Sequence, residues 1–266
     1  MNKNTNFEAH NLRAAEFFNS LPLKEMDAAM LLAELMILIE TKLVDKVNYD
    51  KITSAISFAS FLHRNDMRAN RAHLPKTPYI EHPLRNTIRA VRFGAEDENI
   101  LIACLLHDVI EDHSEDIVRL FANKDTADMN EYSLRKEALE YMSSVYGLEV
   151  SSLVHHVSNQ LKDPSLTTEE KNVIYFNHFQ DITKNPAALL VKVVDLIDNA
   201  GSLYATEGTL GVVSTEKKAR KYIPVISEIE DNLYKYNLES VIPKESMARL
   251  DARFKSILTQ LHNFVR

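Results

Sequence analysis

Apolar side chains recur through much of this chain at the three- and four-residue spacing of an α-helix. Between Lys24 and Val44 the positions Met26, Met30, Leu31, Leu35, Ile37, Leu38 and Leu43 form one stripe, with good helix formers between them. A second helix is predicted over Tyr49 to His63, through Ile52, Ile56, Phe58, Ala59 and Leu62. The polar, basic stretch 64–76 ends near Pro75 and Pro78 and reads as a loop. Pro83 suits the first turn of a helix that Leu84, Ile88 and Val91 carry to Gly94. Glu98 to Ile110 is apolar almost all round, the pattern of a helix at the centre of a bundle.

Residues 112–130 are acidic and lack periodicity. Helical spacing then returns in Glu131–Tyr146, Val150–Leu161, Glu169–Thr183, Ala187–Tyr204, Ser214–Tyr234 and Lys244–Phe264, with a kink expected at Pro224. The expectation is an all-α bundle with a helical extension in 1–47, a main domain in 48–240 and a C-terminal helix, 241–266, packed on it. The Met and Leu stripe of the extension suits packing on the domain better than a dimer seam, although self-association is left open.

Composition narrows the function. A chain of 266 residues with 45% apolar content can bury a sizeable core. Its five glycines form neither of the common phosphate-cradling loop motifs, which disfavours the nucleotide-binding α/β folds. A net charge of −7 gives no general attraction to nucleic acid. The single cysteine, Cys104, lies in an apolar run, so neither a disulfide framework nor a thiolate-rich zinc site is expected, and a reduced, cytoplasmic setting fits. The most apolar stretch, 28–39, is interrupted by Glu34 and falls short of the roughly 20 residues that a membrane span needs. No membrane association is expected.

The chemistry lies in polar residues at apolar places. His107 and Asp108 interrupt a run that must be buried, and Asp195 interrupts a second run between Leu189 and Ile197. Buried charges of this kind need a partner or a cation. A shared metal ion explains both, with His82, at the mouth of the preceding helix, as a third contributor. Taken singly, each residue has an ordinary explanation as a core pair, a packing irregularity or a turn residue. Two imidazoles and two carboxylates together suit a divalent transition metal such as manganese or iron. Glu111 and Asp112 each follow one of these residues by four, so in a continuous helix both stack toward the open side of the metal. There they would orient or deprotonate a water.

This pattern resembles the HD superfamily of metal-dependent phosphohydrolases, whose ligands run His, His-Asp and a distant Asp. Tyr79-Ile-Glu-His-Pro83, Leu105-Leu-His-Asp-Val-Ile-Glu-Asp112 and Val191-Lys-Val-Val-Asp195 through Asn199 and Leu203 are similar to the hydrolase domain of the Rel/Spo family and its small alarmone hydrolases. The resemblance spans roughly 52–234. It implies an HD-domain helical bundle that removes the 3′-pyrophosphate from guanosine tetra- and pentaphosphate, with an adenosine counterpart as the other candidate.

The resemblance further implies manganese held by His82, His107, Asp108 and Asp195, with Glu111 and Asp112 as the catalytic acid pair. Asn199 would line the nucleotide site. Arg71 would lie against the base, and Lys218 and Tyr222 would contact phosphate and sugar. Where the family has a second basic residue this chain has Ala72, and Lys76 replaces a glycine of the next turn and restores the charge. The stretch between Asp108 and Asp195 is longer than the family pattern, with the excess placed in 115–146, either a lid or a loop. A small-molecule nucleotide is thus the expected partner. The alternatives are another HD nucleotide phosphatase, acting on a 5′-nucleotide or a dinucleotide cofactor, and a nucleotide-binding module without turnover.

Overall fold

The computed structural model describes residues 5–68, 76–161, 163–205 and 211–265. Its helices are α1 (Thr5–Ser20), α2 (Ala28–Lys42), α3 (Tyr49–Leu62), α4 (Glu81–Arg92), α5 (Glu98–Leu106), α6 (Val109–Asp116), α7 (Glu131–Tyr146), α8 (Leu148–Val157), α9 (Thr168–Ile182), α10 (Pro186–Asn199), α11 (Val212–Asn232) and α12 (Lys244–Phe264). Several starts are written in the sequence. Asp27 accepts from the Met30 amide, and Asn130 accepts from the Ser133 amide. Thr167 and Glu170 close a reciprocal capping box, and Asn185 caps α10 with Pro186 in its first turn. Each such cap contributes about 1 kcal/mol.

Helix α5 is the hub. Every residue from Ile100 to Leu106 is buried, and α3, α4, α8 and α10 pack around it. At roughly 1.5–3 kcal/mol for each large apolar side chain removed from water, this single helix supplies much of the drive for collapse. The N-terminal segment is part of the same core: α2 lays Leu31, Leu35 and Leu38, all fully buried, toward α4. Arg92 of α4 closes on the buried Glu34 of α2 at 2.6 Å. At the other end α12 packs along α11 and reaches α10.

Two features differ from the pattern in the sequence. The run 98–110 is two helices, because the turn at His107 and Asp108 separates α5 from α6. His107 Nδ1 takes the Cys104 carbonyl, an acceptor that a continuing helix would offer to the amide of residue 108. The acidic stretch 112–130 is also more ordered than its composition suggests. It completes α6 and then makes a π-helical turn, Ile117–Phe121, that buries Ile117 and Val118. The excess length therefore folds as packed helix, with α7 lying against α6 and α8. Pro224 lies inside α11.

The basic stretch after α3 contains a short antiparallel ladder, β1 (Met67–Arg68) with β2 (Thr77–Pro78), in which Met67 faces Pro78 and Arg68 faces Thr77. No helix among the described residues is long and apolar enough to cross a membrane.

Candidate active site

Three elements bring four donor atoms to one point. His82 comes from the first turn of α4, His107 and Asp108 from the junction of α5 and α6, and Asp195 from the middle of α10. His82 Nε2 lies 3.2 Å from His107 Nε2, 3.4 Å from Asp108 Oδ2 and 3.2 Å from Asp195 Oδ1. His107 Nε2 is 3.0 Å from Asp108 Oδ2 and 3.6 Å from Asp195 Oδ1.

Counting protons shows what such a cluster needs. His82 Nδ1 sits 2.8 Å from Asp198 Oδ2, and His107 Nδ1 sits 3.0 Å from the Cys104 carbonyl. Both partners can only accept, so each Nδ1 carries the proton and each neutral ring presents a bare Nε2 lone pair. Two imidazole lone pairs and two carboxylate oxygens then converge with no proton between them, an arrangement that only added positive charge stabilises. The set fits a divalent transition metal. In the absence of an ion the charge demand falls on His107. Burial opposes its protonation, but Asp108 and Asp195 outweigh burial and push it up to about 10. Conversely, burial disfavours the charge on Asp108 and Asp195. His107 and His82 hold Asp108 well below the usual carboxylate range, and Lys192 with the two histidines does the same for Asp195.

Asp198, fully buried one turn after Asp195, anchors His82 from behind. Lys24 at 3.0 Å, Arg85 at 2.9 Å and Arg89 at 2.7 Å surround its carboxylate. Arg85 also reaches Glu81 at 3.3 Å. A carboxylate on the far nitrogen of an imidazole fixes the ring and raises the basicity of the nitrogen facing the centre.

In front of the centre lies a cavity of about 450 Å³, lined by Asp108, Asp112 and Asp195 and by Arg68, Lys192, Lys218 and Lys221. Tyr79, Tyr175 and Tyr222 complete its walls. Arg68 stacks over Tyr79 at 4.9 Å and donates to the Asn199 side-chain oxygen, while the Asn199 amide donates to Asp195 at 2.5 Å. Lys192 holds Asp195 Oδ2 at 3.1 Å, and Lys221 sits 3.9 Å over the Tyr175 ring. Burial, reinforced by Lys192, lowers Lys221 to about 8. With Lys192 paired to Asp195, the cations Arg68, Lys218 and Lys221 give this confined space a lining that attracts anionic groups.

The acids at 111 and 112 part company. Asp112 lines the cavity, and burial together with Asp108 and Glu111 raises it to about 6. Glu111 turns aside and accepts from the backbone amide of Asn159 at 2.6 Å and from its side chain at 3.0 Å.

The HD domain family matches residues 79–200, a span that begins at Tyr79 and contains all four converging residues. This span of the chain is an HD domain. It is similar to the guanosine-3′,5′-bis(diphosphate) 3′-pyrophosphohydrolase MESH1 of Drosophila melanogaster, at 27% identity over 185 residues, which are 69% of this chain and 84% of that protein. A solved structure titled "A metazoan ortholog of SpoT hydrolyzes ppGpp and plays a role in starvation responses" is similar with a TM-score of 0.47 and 22% identity. It covers 80% of this chain and 96% of that one.

Of the substrate-contact residues expected from the sequence, Asn199, Lys218 and Tyr222 of this HD-domain protein line the cavity. Lys76 does not line it and stands exposed just before β2. Arg71 and Ala72 lie outside the described residues. Among the described residues, Arg68, in β1, lines the cavity. Lys192, Lys221, Tyr175 and Asp198 were not singled out from the sequence. Lys192 and Asp198 could have been, since each places a charge within the apolar α10 three residues from Asp195. Tyr175 and Lys221 carried no such signal, because each falls at an ordinary position of an amphipathic helix.

Proposed function

We propose that this HD-domain protein hydrolyses the 3′-pyrophosphate of a guanosine or adenosine tetra- or pentaphosphate and releases pyrophosphate. The observation that carries the reading is the cavity itself, which is lined by Arg68, Lys218 and Lys221 together with Asp108 and Asp195 of the converging donor set. A nucleotide bearing two phosphorylated ends needs both, one set to neutralise phosphate oxygens and the other to hold the ion beside the scissile bond. The similarity to MESH1 supports the same substrate class.

His82, His107, Asp108 and Asp195 would hold a divalent ion such as manganese, which when bound supplies positive charge and lowers the pKa of water. The side chains account for the rest. Asp112, near pH 6, exchanges a proton close to neutrality and can take one from the attacking water. Glu111 fixes Asn159 and the start of the loop beside the cavity. Arg68, Lys218 and Lys221 neutralise the phosphate chain, and Tyr222 offers its ring to base or sugar. Water adds at the phosphorus attached to the 3′ oxygen, the bond to that oxygen breaks, and the oxygen leaves protonated as the hydroxyl.

A substrate panel tests the assignment: guanosine tetraphosphate, its adenosine counterpart and a deoxynucleoside monophosphate, each incubated with manganese and resolved by anion exchange. Pyrophosphate from a 3′-pyrophosphorylated nucleotide is expected, and the faster substrate names the base. Orthophosphate from the monophosphate alone would move the protein to the nucleotidases.

A further inference from the structure

A second set of donors meets outside the centre described above. His63 follows the last turn of α3, buried, with its ring stacked on Tyr79 at 4.3 Å and 19°. Asp66 lies three residues on, just before β1. Helix α6 leaves helical geometry at His113, with φ −136° and ψ 22°, and the imidazole meets His63 edge-on, with ring centres 4.6 Å apart. Asp66 Oδ2 is 2.7 Å from His63 Nδ1 and 2.7 Å from His113 Nε2, and the two nitrogens are 3.0 Å apart.

Hydrogen bonds alone cannot satisfy this triangle. Each nitrogen carries at most one proton, and a proton points at one acceptor. If both nitrogens donate to Asp66, the contact between them has no proton. If His113 donates to His63, then His63 Nδ1 is bare and faces the carboxylate oxygen lone pair to lone pair. One side of the triangle is repulsive in either case, whereas a cation facing all three atoms satisfies every side.

We propose that His63 Nδ1, Asp66 Oδ2 and His113 Nε2 form a second site for a divalent transition-metal ion, sharing no ligand with the first. The spacing suits it: donors at about 2.1 Å from an ion and at right angles to one another lie about 3.0 Å apart. Two imidazoles and one carboxylate on one face are a recognised set for such ions and leave the opposite positions for water. The Asp66 side chain is 34% exposed, so water reaches that side. On the far side of the His113 ring, Nδ1 faces Asp116 Oδ2 at 3.9 Å.

An ion here fastens the end of α3 to α6. It thereby fixes the segment that carries Arg68, two residues after Asp66, and braces Tyr79 through its stack on His63. Tyr79 in turn donates to Asp108 at 2.5 Å, so occupancy of the second site steadies one wall of the cavity. The assignment rests on these three side chains and holds whatever the substrate is.

Equilibrium dialysis of the chelator-stripped full chain against zinc, with bound metal counted per chain by mass spectrometry, tests it. The wild type is expected to bind two ions, and His113→Ala and Asp66→Ala one each. A His107→Ala/Asp195→Ala protein should keep one, and adding His113→Ala should remove it. Circular dichroism checks each fold; if His113→Ala fails to fold, the more exposed Asp66→Ala gives the same reading. A wild type that binds fewer than two ions, or a second ion retained by Asp66→Ala, overturns the proposal.

Discussion

Asp198 Oδ2 lies 2.8 Å from His82 Nδ1, and the same carboxylate receives Lys24, Arg85 and Arg89. One buried acid therefore ties the N-terminal segment to the orientation of a candidate metal ligand. In Asp198→Asn the ring loses its charged partner and three cations lose their counter-charge. Manganese affinity should fall roughly 10- to 100-fold, as for other partners of ligating histidines, and the unfolding midpoint should drop because the buried cations around residue 198 lose the carboxylate they share. Titration of the folded variant with manganese reads the first effect. Wild-type affinity would mean that Asp198 does not set the His82 ring.

Lys221, lowered to about 8 by burial and Lys192, gives a pH signature. Below that pH it is a cation facing the cavity, and above it the charge is gone. The ratio kcat/KM for a polyphosphate substrate should therefore fall as pH rises through about 8, with Lys221→Met low and flat across that range. Stability should run the other way. The folded value lies below the unfolded one near 10.5, so the unfolded chain binds more protons between the two, and stability increases as pH rises from about 8 toward 10.5. Rate profiles and denaturant midpoints across this window check both signs.

Arg68 and Lys76 separate the structural reading from the sequence pattern. Arg68→Ala should raise KM roughly 10- to 100-fold, the scale of one lost charge-assisted hydrogen bond, whereas Lys76→Ala should change it less than twofold. Equal effects of the two would argue that exposed Lys76 folds over the substrate.

Gly94 ends α4 at φ +90°, and a Cβ there would stand 2.6 Å from Pro243 Cδ. Gly94→Ala thus carries both a backbone penalty and a clash with the segment leading into α12, together on the order of 3 kcal/mol. A clear drop in the thermal midpoint is expected; an unchanged midpoint would mean that the Pro243 segment is free to move.

How much of this was legible beforehand depends on the physics involved. His107, Asp108 and Asp195 stood out because charge inside an apolar run is costly, and that signal is local; His82 entered through its place at the mouth of the preceding helix. Helices α2, α3 and α7 followed from periodicity alone, whereas α1, Thr5–Ser20, was not read from the sequence. The break between α5 and α6 was hidden, since it depends on a side-chain bond to the Cys104 carbonyl rather than on a proline or glycine. Arg68 was not singled out because loop positions carry no period, and its place in the cavity shows only in the fold, where it pairs with Thr77 across the β1–β2 ladder; Arg71 lies outside the described residues. The separation of Asp112 from Glu111 depends on Asn159, nearly fifty residues away in the chain.

Under the proposed function, His82, His107, Asp108 and Asp195 hold the ion on which turnover depends. The most direct test is release of pyrophosphate from guanosine and adenosine tetraphosphates by chelator-stripped protein as manganese is added back, beside Asp195→Ala of verified fold. The account predicts no turnover without the ion, recovery on addition and silence in the variant. Turnover by stripped protein, or by Asp195→Ala at the wild-type rate, would contradict it.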